Sequence, residues 1–135
     1  MKKCLAIVVL AFVLAACAGD SSTAPIDVVG TWALQTVNGA ALPFVVGQAG
    51  ASKSELLADT IKLASGGGFI ESSSFRTTFN GVVALQTIAD TGTYTLSGSS
   101  LTLSSTTSAG ASGSGTVSGN TITATIPGLA FVYKR

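Results

Sequence analysis

Residues 30–39, GTWALQTVNG, carry the clearest strand and turn signals of the chain. Trp32 and Leu34 alternate with smaller or polar residues, and this period of two is typical of a half-buried β-strand. The Asn-Gly pair at 38–39 tolerates the two positive φ angles of a type I′ turn, and a second apolar run, 40–46, follows it. The stretch therefore predicts a β-hairpin.

Residues 55–63 form the next strand candidate, with Leu57, Ile61 and Leu63 on one parity. A helix is the alternative, because a serine three residues before the first glutamate has the spacing of a capping box. The strand preference of Thr and Ile and the short apolar period favour a strand. We expect residues 47–54, which precede it, to form a loop.

Aromatic residues and glycine-containing turns mark the later strands. In residues 69–79, Phe69, Phe75 and Phe79 share a parity and would line one face of a strand. A second Asn-Gly pair, at 80–81, predicts another type I′ turn. Further strand segments are predicted at 82–96, 101–107, 115–118, 121–126 and 129–135. The sequence thus predicts an all-β fold, an antiparallel up-and-down meander of about eight or nine strands that closes into a small barrel or packs as two sheets.

The first residues have the character of an export signal. Lys2 and Lys3 precede an apolar run, 5–16, which has the length of a secretory leader and is too short to span a bilayer. Residues 14–17, LAAC, resemble the lipobox of bacterial lipoproteins, in which the cysteine receives a diacylglycerol and the chain is cut just before it. The resemblance implies that Cys17 is lipidated and becomes the first residue. An ordinary secretory leader is the alternative.

The lipobox would divide the chain into three parts. These are a signal peptide (1–16), a lipidated N-terminus with a flexible tether (17–27) and one barrel domain (28–135). The ten residues that follow Cys17, 18–27, reach at most about 35 Å when fully extended. In enteric bacteria an aspartate after the lipidated cysteine favours the inner membrane, whereas here Ala18 follows Cys17. We therefore expect a cell-envelope protein anchored in the outer membrane and facing the periplasm, with a single-membrane host as the alternative.

The residue content excludes several kinds of chemistry. The chain has no histidine, which removes the commonest general base and most zinc sites. Of its two cysteines, Cys4 would leave with the leader and Cys17 would carry lipid. Removing Lys2 and Lys3 leaves five basic and six acidic side chains, a net side-chain charge of −1 that does not suit nucleic acid. We expect no catalytic residue, metal ion or cofactor.

Catalysis would have to depend on carboxylates. Residues 90–92 spell the Asp-Thr-Gly signature of aspartic proteases, but those enzymes need two such aspartates, so Asp90 is better explained by a bulge or bend. Glu55, Asp59 and Glu71 could form a glycosidase pair or bind a cation, yet solvated strand residues are the simpler interpretation. The glycines at 66–68 lack the Lys of a phosphate loop and predict a tight turn.

Several segments together resemble the lipocalins, and in particular small lipocalin-like lipoproteins of bacterial envelopes. Gly30, Thr31 and Trp32 match the GxW motif of the first strand, and the similarity continues through GTWALQTVNGAALP, DTGTYTLSGSSLTLSS, GTVSGNTITATI and FVYKR. The resemblance implies that Trp32 packs at the closed end of the barrel beneath Arg135, with Lys134 as the other candidate. The META/HslJ domain is a second resemblance, although its Gly-Cys-Asn motif has no match here.

The lipocalin resemblance implies a small hydrophobic ligand inside the barrel. Strand parity selects six candidates for the inward, ligand-binding positions: Trp32, Leu34, Phe75, Tyr94, Leu103 and Phe131. The alternative is a filled barrel that serves as a structural or interaction module for an unknown envelope protein. An enzyme is the third hypothesis. We expect a membrane as the partner of the lipid anchor, and we expect the volume left inside the barrel to decide between the first two hypotheses.

Overall fold

The computed structural model describes residues 24–107 and 112–135, and all regular structure in these ranges is β-strand. The predicted signal peptide, Cys17 and most of the predicted tether lie outside the described residues. Within those ranges no helix is long and apolar enough to cross a membrane. The strands are β1 (Gly30–Val37), β2 (Ala40–Ala41), β3 (Phe44–Ala49), β4 (Ser52–Leu63), β5 (Gly68–Phe79), β6 (Val82–Ser97), β7 (Ser100–Ser105), β8 (Gly113–Ser118), β9 (Thr121–Ile126) and β10 (Leu129–Lys134).

The strands close into a barrel because β1 pairs with a different strand along each of its edges. It pairs antiparallel with β10 on one side and with β4 on the other, where Gly30 lies opposite Leu63 and Ala33 opposite Thr60. The strands from β4 to β10 pair consecutively, so β1 and β4–β10 form a closed ring of eight strands, with β2 and β3 as additions. The predicted antiparallel all-β barrel is confirmed, and closure leaves few free sheet edges.

The two Asn-Gly pairs form the turns that their chemistry predicts. Asn38 and Gly39 have φ angles of 51° and 77°, and Asn80 and Gly81 have φ angles of 48° and 80°. Two successive positive φ angles define a type I′ turn, whose twist matches that of the flanking strands. The first pair joins β1 to β2 and the second joins β5 to β6. Both hairpins are therefore specified by local sequence.

The region between the first hairpin and β4 differs from the prediction in two ways. The run at 40–46 is split at the cis Leu42–Pro43 peptide into β2 and β3 rather than forming one strand. The expected loop at 47–54 is wrong, because its two ends pair as strands around a turn at Gly50. The residues of this edge segment are exposed and show no alternation of apolar and polar side chains. Hydrophobic periodicity therefore could not identify them as strands.

A β-bulge in β4 changes which leucine faces the core. The register shifts between Leu56 and Ala58, which lie opposite Phe75 and Ser74, so Leu57 is the extra residue. Leu56 is consequently the buried side chain, with 5% of its surface exposed, and it belongs to the core in place of the predicted Leu57. A bulge adds one residue to the strand, so simple alternation counted from one side of it predicts the wrong face for the side chains on the other side.

The β5–β6 hairpin is longer than the barrel wall it belongs to. β6 pairs with β7 only from Gly92 to Ser97, and within the described residues no strand pairs with the other edge of residues 82–89. Phe79 and Leu85 are 59% and 73% exposed. Phe69, Phe75 and Phe79 lie on one face of β5 as predicted, but Phe79 is exposed because none of the described strands covers that end of the hairpin.

Candidate functional site

One end of the barrel is sealed by Trp32 and Arg135. Trp32 has no exposed surface, and its Nε1 donates a hydrogen bond to the Val28 carbonyl at 2.9 Å. The guanidinium carbon of Arg135 lies 4.6 Å from the centroid of the Trp32 ring. Arg135 also donates to the carbonyls of Val29 at 3.0 Å and Asp27 at 2.7 Å. The same side chain thus covers the indole and fixes the segment that enters β1.

Gly30 and Lys134 are the other two residues predicted at this end of the barrel, and they differ in their contribution to it. Gly30 has a φ angle of 139°, a conformation that L side chains rarely adopt, and an added Cβ would lie 3.9 Å from Nη1 of Arg135. Its backbone conformation, rather than lack of space, is what favours glycine there. Lys134 is exposed, and Arg135 rather than Lys134 lies over the Trp32 ring.

Two cavities lie inside the barrel away from the sealed end. The mouth cavity has a volume of about 210 Å³ and the side cavity about 160 Å³. Their linings share three residues, Asp59, Glu71 and Phe131, so the two spaces adjoin at an acidic pair. The mouth cavity is otherwise lined by Val37, Phe44, Val46, Leu56, Ser73, Phe75 and Leu129. Among the described residues, neither lining contains Lys or Arg.

Asp59 is the most unusual residue of this interior. Only 5% of it is exposed, and the Tyr133 hydroxyl donates to its Oδ2 at 2.9 Å. Its buried Oδ1 accepts no hydrogen bond from any residue that the structure describes. A buried polar atom without a partner costs free energy, so such atoms require an explanation, and a bound ligand is one.

The acidic pair holds protons more tightly than carboxyl groups in water. Burial raises the pKa of Asp59, against the opposing effect of the Tyr133 hydroxyl. Burial and the neighbouring Asp59 charge raise the pKa of Glu71 from 4.5 to about 7, with a smaller contribution from Asp90. Burial and Asp59 also raise the pKa of Tyr133, so its hydroxyl remains a donor. Near neutral pH the pair therefore changes charge.

Glu55 shows the opposite environment on the outer face of the same strand. It pairs with Lys53 at 2.7 Å and with Arg76 at 2.8 Å. The hydrogen bonds from Arg76 and Lys53 lower the pKa of Glu55 to about 2. The interpretation of all three acids as solvated strand residues is therefore wrong: Glu55 is 7% exposed beneath its two ion pairs, and the other two line the cavities. Asp59 and Glu71 face the barrel lumen because they share the parity of core residues.

Asp90 is held by hydroxyl groups rather than placed in a bulge. The side chains of Ser105 and Thr107 donate to its Oδ1 at 2.7 and 2.6 Å, and the bonds from Thr107 and Ser105 lower its pKa. The register of β5 with β6 runs regularly through this region, so the expected bulge or bend at Asp90 is wrong. Gly92 instead permits a close approach, since a Cβ there would lie 2.6 Å from Phe69 Cε1.

The six residues predicted to bind a ligand fall into two groups. Phe75 and Phe131 line the mouth cavity, and Leu103 lines the side cavity together with Phe131. Trp32 and Leu34 are buried in the core, outside both linings. Tyr94 is also outside them, and its hydroxyl donates to the Ala64 carbonyl at 2.8 Å. The structure thus brings three of the six to the cavities.

Asp59 and Glu71, which the sequence offers as a possible carboxylate pair or cation site, line the interior instead of lying in solvent as expected. The signal was present in strand parity, since Asp59 shares the face of Ile61 and Leu63, and Glu71 shares the face of Phe69. An acid on the apolar parity of a strand is expected to be buried. Within the described residues, no group of three or more Asp, Glu, Cys or His side chains could hold a metal ion.

The comparisons with known proteins do not assign this site. No protein-family model matches the chain, and no curated protein matches it. A function is therefore inferred from the cavities, the acidic pair and the sealed end described above.

Proposed function

We propose that this protein is a lipid-anchored lipoprotein of the cell envelope whose lipocalin-like barrel binds a small ligand without turnover. The mouth cavity is the observation that supports binding most directly. It is a concave space with aromatic side chains on its walls, Phe44, Phe75 and Phe131, and a few convergent polar groups. That combination is characteristic of small-molecule sites.

The volume limits the size of the ligand. Sites for drug-sized molecules usually exceed about 300 Å³, whereas the mouth cavity holds about 210 Å³. The barrel floor is filled by fully buried side chains, among them Trp32, Leu63 and Leu101. A compact molecule fits this space better than the long chain of a fatty acid.

The segment that enters β1 and the mouth cavity lie at opposite ends of this strand. The strand begins at Gly30, beside the sealed end, and ends at Val37, which lines the mouth cavity. The described residues before β1 pack at the sealed end, where Ala24, Pro25 and Ile26 border a surface groove with Leu96 and Gly98. A lipid on Cys17 would thus attach the protein from its sealed end and leave the cavity away from the membrane.

Ligand binding is tested with a compact aromatic probe and a cavity-filling variant. We expect 2-phenylethanol to bind the full chain, purified in detergent, with a saturable signal in isothermal titration calorimetry. Phe131→Trp should weaken that binding about tenfold or more, because the larger ring fills the cavity. The matched control is Phe79→Trp, the same change at an exposed position, which should bind like the wild type.

The absence of saturable binding in the folded wild type, or equal binding in both variants, would contradict the ligand proposal. Circular dichroism establishes that each variant is folded.

A second candidate function, a module that acts through its outer surface, is favoured by one observation. Residues 82–89 of β6 are exposed throughout and carry several large apolar side chains. A folded barrel that binds no probe would support this second candidate.

A further inference from the structure

The interior of the barrel carries acidic charge without a compensating base. Asp59 and Glu71 both line the mouth cavity and the side cavity, and the described residues of those linings include no Lys or Arg. The basic side chains of β4 and β5 lie outside the lumen: Lys62 is exposed between the buried Ile61 and Leu63, and Lys53 and Arg76 are paired with Glu55 on the outer face. No basic side chain of the described linings therefore neutralises the pair, and its negative charge develops as the carboxyl groups lose their protons.

We infer that the mouth cavity binds a small organic cation, an ammonium group on an apolar body, with Asp59 and Glu71 as its acceptors. This inference rests on the proposed function, namely that the barrel holds a ligand at all. The unpartnered Oδ1 of Asp59 is the observation that carries it. Because the oxygens of an ionised carboxyl group can only accept, the group that satisfies this buried atom in the charged site must donate a hydrogen bond.

The lining matches both parts of such a molecule. An ammonium group has three donors, and the lining supplies the Asp59 and Glu71 carboxyls and the Ser73 hydroxyl. The apolar body would lie between Phe75 and Phe131, two of the three aromatic residues of the wall. Aromatic faces also attract cations, so both sides of the cavity favour an ammonium over a carboxylate ligand.

The charge of the site depends on pH in the direction that suits this ligand. Four titratable groups face it from the surrounding strands: Asp59 of β4, Glu71 of β5, Asp90 of β6 and Tyr133 of β10. Tyr133 stays neutral, Asp90 stays ionised near neutral pH, and Glu71 loses its proton at a pKa of about 7. An alkylammonium group remains charged throughout this range. Its affinity should therefore rise with pH from about 5 to about 8.

The test compares three probes with the same ring: 2-phenylethylammonium, 2-phenylethanol and 3-phenylpropionate. Isothermal titration of the full chain should show the ammonium binding about tenfold or more tighter than the alcohol, and the carboxylate should not bind. Asp59→Asn preserves the shape and should remove this preference while leaving the affinity for the alcohol unchanged. The matched control is Asp27→Asn at the sealed end, which removes the same charge and should leave both affinities unchanged.

The outcomes separate this inference from the proposal beneath it. If the alcohol and the ammonium bind equally and Asp59→Asn has no effect, the cation site is overturned while ligand binding stands. If no probe gives saturable binding, both are overturned. Should Asp59→Asn fail to fold, Glu71→Gln and the pH profile of the wild type decide. An ammonium affinity that is lower at pH 8 than at pH 5 would contradict the inference.

Discussion

At the scale of single residues, Trp32 combines several stabilising interactions in one side chain. Its ring is fully buried, its Nε1 has a carbonyl partner, and the Arg135 guanidinium covers it at 4.6 Å. We expect Trp32→Ala to lower the free energy of unfolding by about 3 to 5 kcal/mol, because it deletes a large buried aromatic. Denaturant unfolding measures the loss. The control is Leu85→Ala, which truncates an exposed side chain and should change stability by about 0.5 kcal/mol or less.

Glu71 should make the barrel less stable as pH rises. Its pKa is about 7 in the folded protein and 4.5 ordinarily, so between these values the folded state binds more protons than the unfolded chain. The free energy of unfolding should then fall from pH 4.5 to 7 by about 2 to 3 kcal/mol, because each tenfold difference in proton affinity corresponds to about 1.4 kcal/mol. The raised pKa of Asp59 acts in the same direction.

Glu71→Gln should reduce the fall in the free energy of unfolding between pH 4.5 and 7. Chemical denaturation at several pH values measures this dependence. Glu55 supplies an internal contrast, because its pKa is lowered to about 2. The stability it contributes is complete above about pH 4.5 and is lost only as pH falls toward 2. A wild-type stability that is flat between pH 4.5 and 7 would show that Glu71 is not buried beside Asp59.

At the scale of strands, Gly92 allows three strands to approach one another. A Cβ at this position of β6 would meet Phe69 of β5 at 2.6 Å and would overlap the backbone carbonyl of Ser104 in β7. We expect Gly92→Ala to destabilise the protein by about 1 to 3 kcal/mol, because backbone atoms cannot move aside cheaply. Thermal unfolding followed by circular dichroism measures this change.

The matched control is Gly47→Ala in β3, where an added Cβ has no atom within 4 Å and φ is not positive. That substitution should be neutral or should stabilise by up to about 1 kcal/mol, since it lowers the entropy of the unfolded chain. If alanine changed the stability equally at Gly92 and Gly47, the contacts of an added Cβ with Phe69 and Ser104 would not explain the effect at Gly92.

Strands and turns differ in how far the sequence predicts them. The Asn-Gly turns could be predicted because φ preferences at 38–39 and 80–81 are local. The bulge at Leu57 could not, since it depends on how β4 fits against β5 across the sheet. The exposure of Phe79 likewise depends on the absence of a facing wall among the described strands. The alternation of side chains along β4 and β5 already places Asp59 and Glu71 on the core face. Because both side chains are acidic, however, the sequence pattern favoured a solvated position for them.

At the scale of the whole molecule, closure between β1 and β4 creates the cavity. The volume left inside depends on that closure and on the bulge, so no pattern in the sequence specified it. The fold class was predictable because each strand and turn carries its own signal. The sealed end was suggested by family resemblance, whereas the position of the cavity required the paired registers.

The lipid anchor would fix the orientation of the barrel relative to a membrane, and it is tested independently of any ligand. If residues 14–17 are a lipobox, the exported protein should partition into detergent and incorporate a labelled fatty acid at Cys17. Cys17→Ser should abolish both, because serine offers no thiol for the diacylglycerol. Cys4→Ser is the matched control, since this cysteine would leave with the leader, and it should label like the wild type. A wild-type protein that is exported, soluble and unlabelled would overturn the anchor while leaving the barrel and its cavity unaffected.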